Sequence, residues 1–223
     1  MIRIHIICEG QTEEVFINEV LLEHFSAHNI YLTPSLIGRP GHKGGNFRFE
    51  RLLQDVRNRL LGDKTAYCTT LFDFYGLPEA FPGKVAAYSQ NDYQAKARTI
   101  EAALLAELQN KLGNEVMQRF IPYVQMYEFE GLLFSDVHAL ASGLNQPELI
   151  NPLQSIRDVF VCPEMINNSP ETAPSKRLLK LCESYDKPLH GSLAALEIGL
   201  MTIREQCPRF NQWLSQLEQL PKL

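Results

Sequence analysis

The stretch IHIICEGQTEE, Ile4 to Glu14, opens as a strand and closes as a helix start. Its first residues are mostly β-branched and apolar, Glu9 and Gly10 interrupt the run, and Thr12 followed by Glu13 and Glu14 has the make-up of an N-cap with an acidic first turn. A buried strand that turns sharply into a helix is the first half of a βαβ unit, so these residues set the fold class. They also raise a chemical question: why a carboxylate, Glu9, stands at the carboxyl end of the first strand, where open parallel sheets bind their ligands.

Over roughly the first 130 residues, strand-like runs at 2–8, 30–37, 66–72 and 120–126 alternate with helical spacing at 12–28, 47–61 and 92–112. The alternation predicts an α/β fold: a mostly parallel, four-stranded, Rossmann-like sheet with helices on both faces. Short helices follow at 132–141, 149–159, 175–183, 192–206 and 209–220. The expected organisation is an α/β core at 1–135 and a helical extension at 136–223, packed as one structural unit because no flexible Gly/Ser linker separates them.

Composition narrows the function classes. At 223 residues, with 45% hydrophobic and 21% charged residues, the chain is long enough for a substantial core and is neither disordered nor fibrous. No apolar run approaches a membrane span, and no signal peptide is read at the start, so cytoplasm is the expected location and a membrane is not an expected partner. The five cysteines are widely spaced without C-x-x-C, which argues against a disulfide framework or zinc ribbon; Cys8 and Cys68 read as core. A net charge of -5 repels bulk nucleic acid, so a nucleic-acid role requires a local basic patch or a bound cation.

Three strand ends carry acids: Glu9 after the first, Asp73 after the third in TLFDFYGLP, and Glu128 with Glu130 after the fourth in VQMYEFEGLLF. Any one of these could be a cap or turn residue. Together at one sheet edge they would repel each other unless neutralised, and a hard divalent cation with oxygen ligands is the ordinary neutraliser. Glu128 and Glu130 are two apart, so a strand would point both the same way and a helix start would split them. Gly10 and Gly76 fit either close ligand approach or a tight turn.

Two basic segments are candidates for a phosphate. The loop GRPGHKGGN, 38–46, carries Arg39, His42 and Lys43 among glycines at the same sheet edge, and reads either as a phosphate loop or as a solvated surface loop. In NNSPETAPSKR, 167–177, Ser175 would cap a helix with Lys176 and Arg177 in its first turn, where cations are unfavourable unless an anion lies near. His190 in KPLHGS reads as a local hydrogen bonder, and Trp213 as core of the last helix.

The combination E-G-x-T-E-E, D-x-Y-G-x-P, E-F-E-G-L-L-F-S-D, INNSPETAPSKRL and CPRFNQWL resembles an uncharacterised prokaryotic family of Toprim-like proteins, domain of unknown function 4276, over nearly the whole chain. The resemblance implies a Toprim-type fold, akin to the metal-binding domain of OLD-family nucleases. In that fold a glutamate after the first strand is the general acid/base and later acids, usually D-x-D, hold Mg2+ or Mn2+. Glu9 matches the first element and Asp73 the first Asp; Tyr75 stands in the place of the second, leaving Glu128 or Glu130 to supply the missing ligand. The implied catalytic set is Glu9, Asp73 and Glu130, the implied metal set Glu9, Asp73, Glu128 and Glu130. The resemblance also implies a nucleic-acid substrate, DNA or RNA, and an ABC- or AAA-type ATPase partner in a defence, restriction or repair system; the alternative is an inactive Toprim-like module that binds nucleic acid or regulates the ATPase.

Overall fold

The computed structural model describes residues 1–37, 48–167 and 169–222. Strand β1 (Ile2–Cys8) leads into α1 (Gln11–Phe16), which continues through a π turn (Ile17–Leu21) into α2 (Leu22–Ala27). Gly10, not Thr12, is the N-cap: its N–H donates to Glu13 Oε2 at 2.9 Å, so a carboxylate one turn ahead reaches back to close the helix start. Then come β2 (Ile30–Leu36), α3 (Phe49–Gly62), β3 (Ala66–Asp73), α4 (Lys84–Tyr88), α5 (Tyr93–Leu112) and α6 (Asn114–Met117). The fourth strand expected at 120–126 is two short pieces, β4 (Phe120–Ile121) and β5 (Val124–Gln125). Pro122 between them has no N–H for a ladder, and Tyr123 donates instead to the Thr70 hydroxyl at 3.0 Å.

All strand pairs are parallel, in the order β2-β1-β3-β4 with β5 continuing on β3. The expected α/β class, a parallel sheet flanked by helices, is what the chain forms. Successive residues of a strand face opposite sides, and here both sides are apolar. Ile4, Ile6 and Cys8 join one core with Phe16, Phe129 and Trp213, while Ile7 joins the other with Leu52, Phe72 and Ile100. β3 is buried at every position, as befits a central strand.

The rest of the chain is a 3-10 segment (Phe129–Ser135) followed by α7 (Val137–Gly143), α8 (Ile150–Arg157), α9 (Pro174–Leu181), α10 (Lys187–Ile198), α11 (Leu200–Gln206) and α12 (Pro208–Glu218), with short 3-10 turns between. The helix expected at 192–206 is two helices, broken at Gly199 with φ +79°. Its true start is Asp186, whose side chain accepts from Leu189 N–H at 2.9 Å, with Pro188 in the first turn. Trp213 is core: its Nε1–H donates to Thr69 Oγ1 at 2.9 Å and its ring stacks on Tyr123 at 4.5 Å. Cys8 and Cys68 are buried free thiols. Among the described residues no helix is long and apolar enough to cross a membrane.

Candidate active site

Parallel pairing of β1 and β3 sets Cys8 opposite Leu71, so the residues that follow both strands leave the sheet side by side. The Glu9 side chain turns across to β3, where Oε2 accepts the Asp73 backbone N–H at 3.0 Å. Gly76 makes room for it: a Cβ at that position would lie 2.1 Å from Glu9 Oε1. Asp73 is itself held from two sides. Its Oδ1 accepts from Phe129 N–H at 2.7 Å, and its Oδ2 from Lys187 Nζ at 2.9 Å.

Lys187, the first residue of α10, is the centre of the arrangement. Besides Asp73, its Nζ lies 3.2 Å from Glu130 Oε2 and 3.7 Å from Glu13 Oε1. Glu13 is shared with the Gly10 cap through its other oxygen. The Glu130 side chain is 0% exposed; Oε1 is 3.5 Å from the Tyr185 hydroxyl, and Oε2 accepts no hydrogen bond despite its closeness to Lys187.

The two acids of the Glu-Phe-Glu segment are split. Tyr127 adopts φ +63°, unusual for a non-glycine residue, and its carbonyl accepts from Tyr75 N–H at 3.0 Å. The chain then enters the 3-10 segment with Glu128 as its extended N-cap. Glu130 turns inward to Lys187, whereas Glu128 Oε2 accepts the Ser175 N–H at 2.8 Å, at the start of α9. Glu128 thus binds the backbone at the start of α9, while Glu130, Asp73 and Glu13 face Lys187. Ser175 contributes its backbone there, not a side-chain cap, and α9 begins one residue earlier than expected, at Pro174.

Burial, with Asp73 and then Glu13 adding negative charge, raises the pKa of Glu9 to about 8. Glu130 is raised to about 7, by burial first and against the pull of Lys187; Glu13 is raised for the same reasons, burial first. Burial opposes the charge on Lys187, but Asp73, Glu130 and Glu13 outweigh it and hold its pKa well above that of an ordinary ammonium. A second lysine lies close by. Lys84, 2% exposed, donates to the Phe74 carbonyl and sits 3.6 Å over the Phe74 ring; burial lowers its pKa to about 8, with Glu9 pulling the other way.

The remaining expected residues that are described make other contacts. Arg39, His42 and Lys43 lie outside the described residues. Lys176 is exposed, and Arg177 Nε donates to the Thr172 carbonyl at 2.7 Å with its guanidinium over Phe160. His190 Nδ1 accepts from Asp186 N–H at 2.8 Å, a local hydrogen bond. Tyr75, in the place of the second Asp of D-x-D, donates to Asn167 Oδ1 at 2.7 Å and packs against Phe74 and Tyr127. Lys187 and Lys84 join the centre from outside the strand ends, and Glu13 from the first turn of α1. The signal for Lys187 was present: a cation in the first turn of an Asp-Lys-Pro helix start is as unfavourable as Lys176 and Arg177, and calls for an anion in the same way.

Whether these residues suit a metal ion has a divided answer. The donors are hard oxygens, and Glu130 Oε2 faces Lys187 as an ion pair without accepting a hydrogen bond. Their arrangement is organised on an ammonium: among the described residues, no group of three or more His, Cys, Asp or Glu side chains is placed to hold an ion. An ion would share or take the place of Lys187 Nζ.

A family profile described as "Domain of unknown function (DUF4276)" matches residues 8–218. The chain belongs to that family. The match takes in every acid of the centre and Lys187. Neither a curated protein nor a solved structure matches the chain.

Proposed function

We propose that this DUF4276 protein is a Toprim-type, Mg2+- or Mn2+-dependent nuclease-like protein, acting on the phosphodiesters of DNA or RNA at the acid–lysine centre. One observation carries the reading: Asp73 and Glu130, distant in sequence, meet with Glu13 around the Lys187 ammonium at the carboxyl edge of the sheet, and Glu9 joins them through the Asp73 N–H. Carboxylates outnumbering their counter-ion attract a further cation.

The residues have distinct suitable roles. Asp73, Glu130 and Glu13 would hold the ion, which when bound supplies Lewis acidity toward a phosphoryl oxygen. Glu9, with a pKa of about 8, exchanges a proton readily near neutral pH, which suits a general acid/base. Lys187, 35% exposed on its side chain, can follow a phosphate oxygen or withdraw toward solvent. A defence or repair role and an ATPase partner belong to the same proposal, resting on the family resemblance alone; a cytoplasmic location belongs to it on the sequence composition.

A second reading has its own support: a module that binds nucleic acid or regulates a partner without cleaving. Lys187 already occupies the focus of the acids, and Tyr75 is tied to Asn167 where a metal-binding Asp would stand. Plasmid nicking and RNA cleavage with Mg2+ or Mn2+ decide between them. The first reading predicts cleavage that requires the metal and falls at least 100-fold, roughly, in Glu9→Gln and in Asp73→Asn. Metal-independent inertness of the wild type and both variants, with or without a neighbouring ATPase, gives the second.

A further inference from the structure

Helix α10 is built inside out. The residues that it turns to the core are mostly small: Gly191, Ser192, Ala194 and Ala195, with Ile198 at the end. Its large apolar side chains face solvent instead, Leu189 at 57%, Leu193 at 44% and Leu196 at 46% exposure. An ordinary surface helix does the reverse, and a helix that is apolar all round belongs in an interior. The small inner residues have a packing reason, since Ala194 meets Gly143 of α7 and Gly191 lies against the Tyr185 hydroxyl and the Phe129 ring. The outer leucines have none within the chain. At spacings of four and three residues they form one stripe along the helix.

Two polar side chains flank that stripe on one side. His190 Nδ1 accepts the Asp186 N–H at 2.8 Å, so the donor of the ring is Nε2–H. Glu197 is exposed on the same flank, seven residues on, about 10 Å along the axis and out of reach of His190 in its own helix. Among the described residues neither Nε2 nor the Glu197 carboxylate has a partner.

A second α10, run antiparallel, supplies what both features lack. With the two-fold axis between Leu193 and Ala194, Leu193 meets Leu193 of the second copy, and Leu196 enters the gap between its Leu189 and Leu193. The same axis sets His190 of each copy beside Glu197 of the other, twice per pair. We propose that α10 is the contact helix of a homodimer, two copies of this chain packed antiparallel through the leucine stripe. A lipid surface fits the face poorly, because α10 exposes Glu197 and no cation beside the leucines. The proposal is independent of any nuclease activity.

Sedimentation equilibrium of the full chain tests it. A reversible dimer with Kd on the order of 10 μM is expected, since two single helices bury less than a standard interface. Leu193→Glu, at an exposed position, sets like charges at the two-fold axis and should weaken the dimer at least tenfold, roughly, with an unchanged circular dichroism spectrum. His190→Glu sets two carboxylates together and should weaken it about three- to tenfold; adding Glu197→Arg should restore it, a rescue that one helix alone cannot provide. The native cysteines are buried, so Leu193→Cys should form a disulfide-linked dimer under mild oxidation, whereas Val161→Cys, at a more exposed position outside α10, should not. A monomer up to roughly ten times the expected Kd, a dimer indifferent to Leu193→Glu, a loss in His190→Glu that Glu197→Arg does not recover, or equal cross-linking of the two cysteine variants overturns the proposal; the first of these leaves the face to a different protein.

Discussion

Gly76 and Glu9 show how closely the centre is fitted at the scale of single residues. A methyl group at Gly76 would overlap the Glu9 carboxylate, which ends a flexible side chain and can yield, whereas the backbone around it need not move. Gly76→Ala is therefore expected to fold, losing only about 1 kcal/mol, while driving Glu9 off the Asp73 N–H. The pH dependence of stability reads out that displacement. Folding raises the Glu9 pKa from 4.5 to about 8, so the folded protein holds this proton more tightly than the unfolded chain between those values. The contribution is fully present below about pH 4.5 and is lost as pH rises toward 8. Glu130, raised to about 7, has the same sign. Lys187, whose pKa is raised, keeps its proton in both states across this window and adds no slope; Lys84, lowered to about 8, acts with the opposite sign above it. In chelator-treated protein the melting temperature should drop by roughly 5–10 °C from pH 5 to pH 8, and by distinctly less in both Glu9→Gln and Gly76→Ala. A profile identical in all three would mean that Glu9 titrates as an ordinary carboxylate.

Among the elements, α10 matters most because it delivers Lys187, and its position is set by α7. Gly143 of α7 meets Ala194 of α10 backbone to backbone, so that a Cβ on Gly143 would come 2.5 Å from the Ala194 Cα. Neither backbone can yield cheaply. Gly143→Ala should cost roughly 1–3 kcal/mol, seen as a lower denaturant midpoint, and should reproduce part of any loss caused by removing Lys187. A variant as stable as the wild type would show that the two helices have slack. The elements also show what the sequence could reveal. Strands β1, β2 and β3 and helices α3 and α5 were legible because periodicity and apolar runs report burial on two sheet faces. Pro122 and Gly199 broke a strand and a helix that apolar pattern alone ran together. The edge acids Glu9, Asp73 and Glu130 were legible from topology, since every parallel strand delivers its next residue to the same side. Lys187 was not, because its contacts depend on where α10 packs, more than a hundred residues from Asp73; nor could the sequence part Glu128 from Glu130, a separation fixed by the 3-10 start between them.

At the scale of the whole molecule, the two-faced core holds a rigid sheet edge, and the C-terminal helices lay a cation across it. On the proposed function the acids form one electrostatic unit, and Lys187 stands where a divalent ion would bind. Titration of Mn2+ by calorimetry or electron paramagnetic resonance at pH 7.5 tests it in wild type, in Lys187→Met and in Lys187→Met with Asp73→Asn. Removing the ammonium leaves buried carboxylates without their counter-ion, a loss of roughly 2–4 kcal/mol after allowing for the lysine's partial exposure. Mn2+ should recover that stability, binding Lys187→Met at least tenfold more tightly than wild type and losing the gain when Asp73→Asn is added. Affinities that are equal in all three proteins, or no saturable binding in Lys187→Met, would contradict the claim.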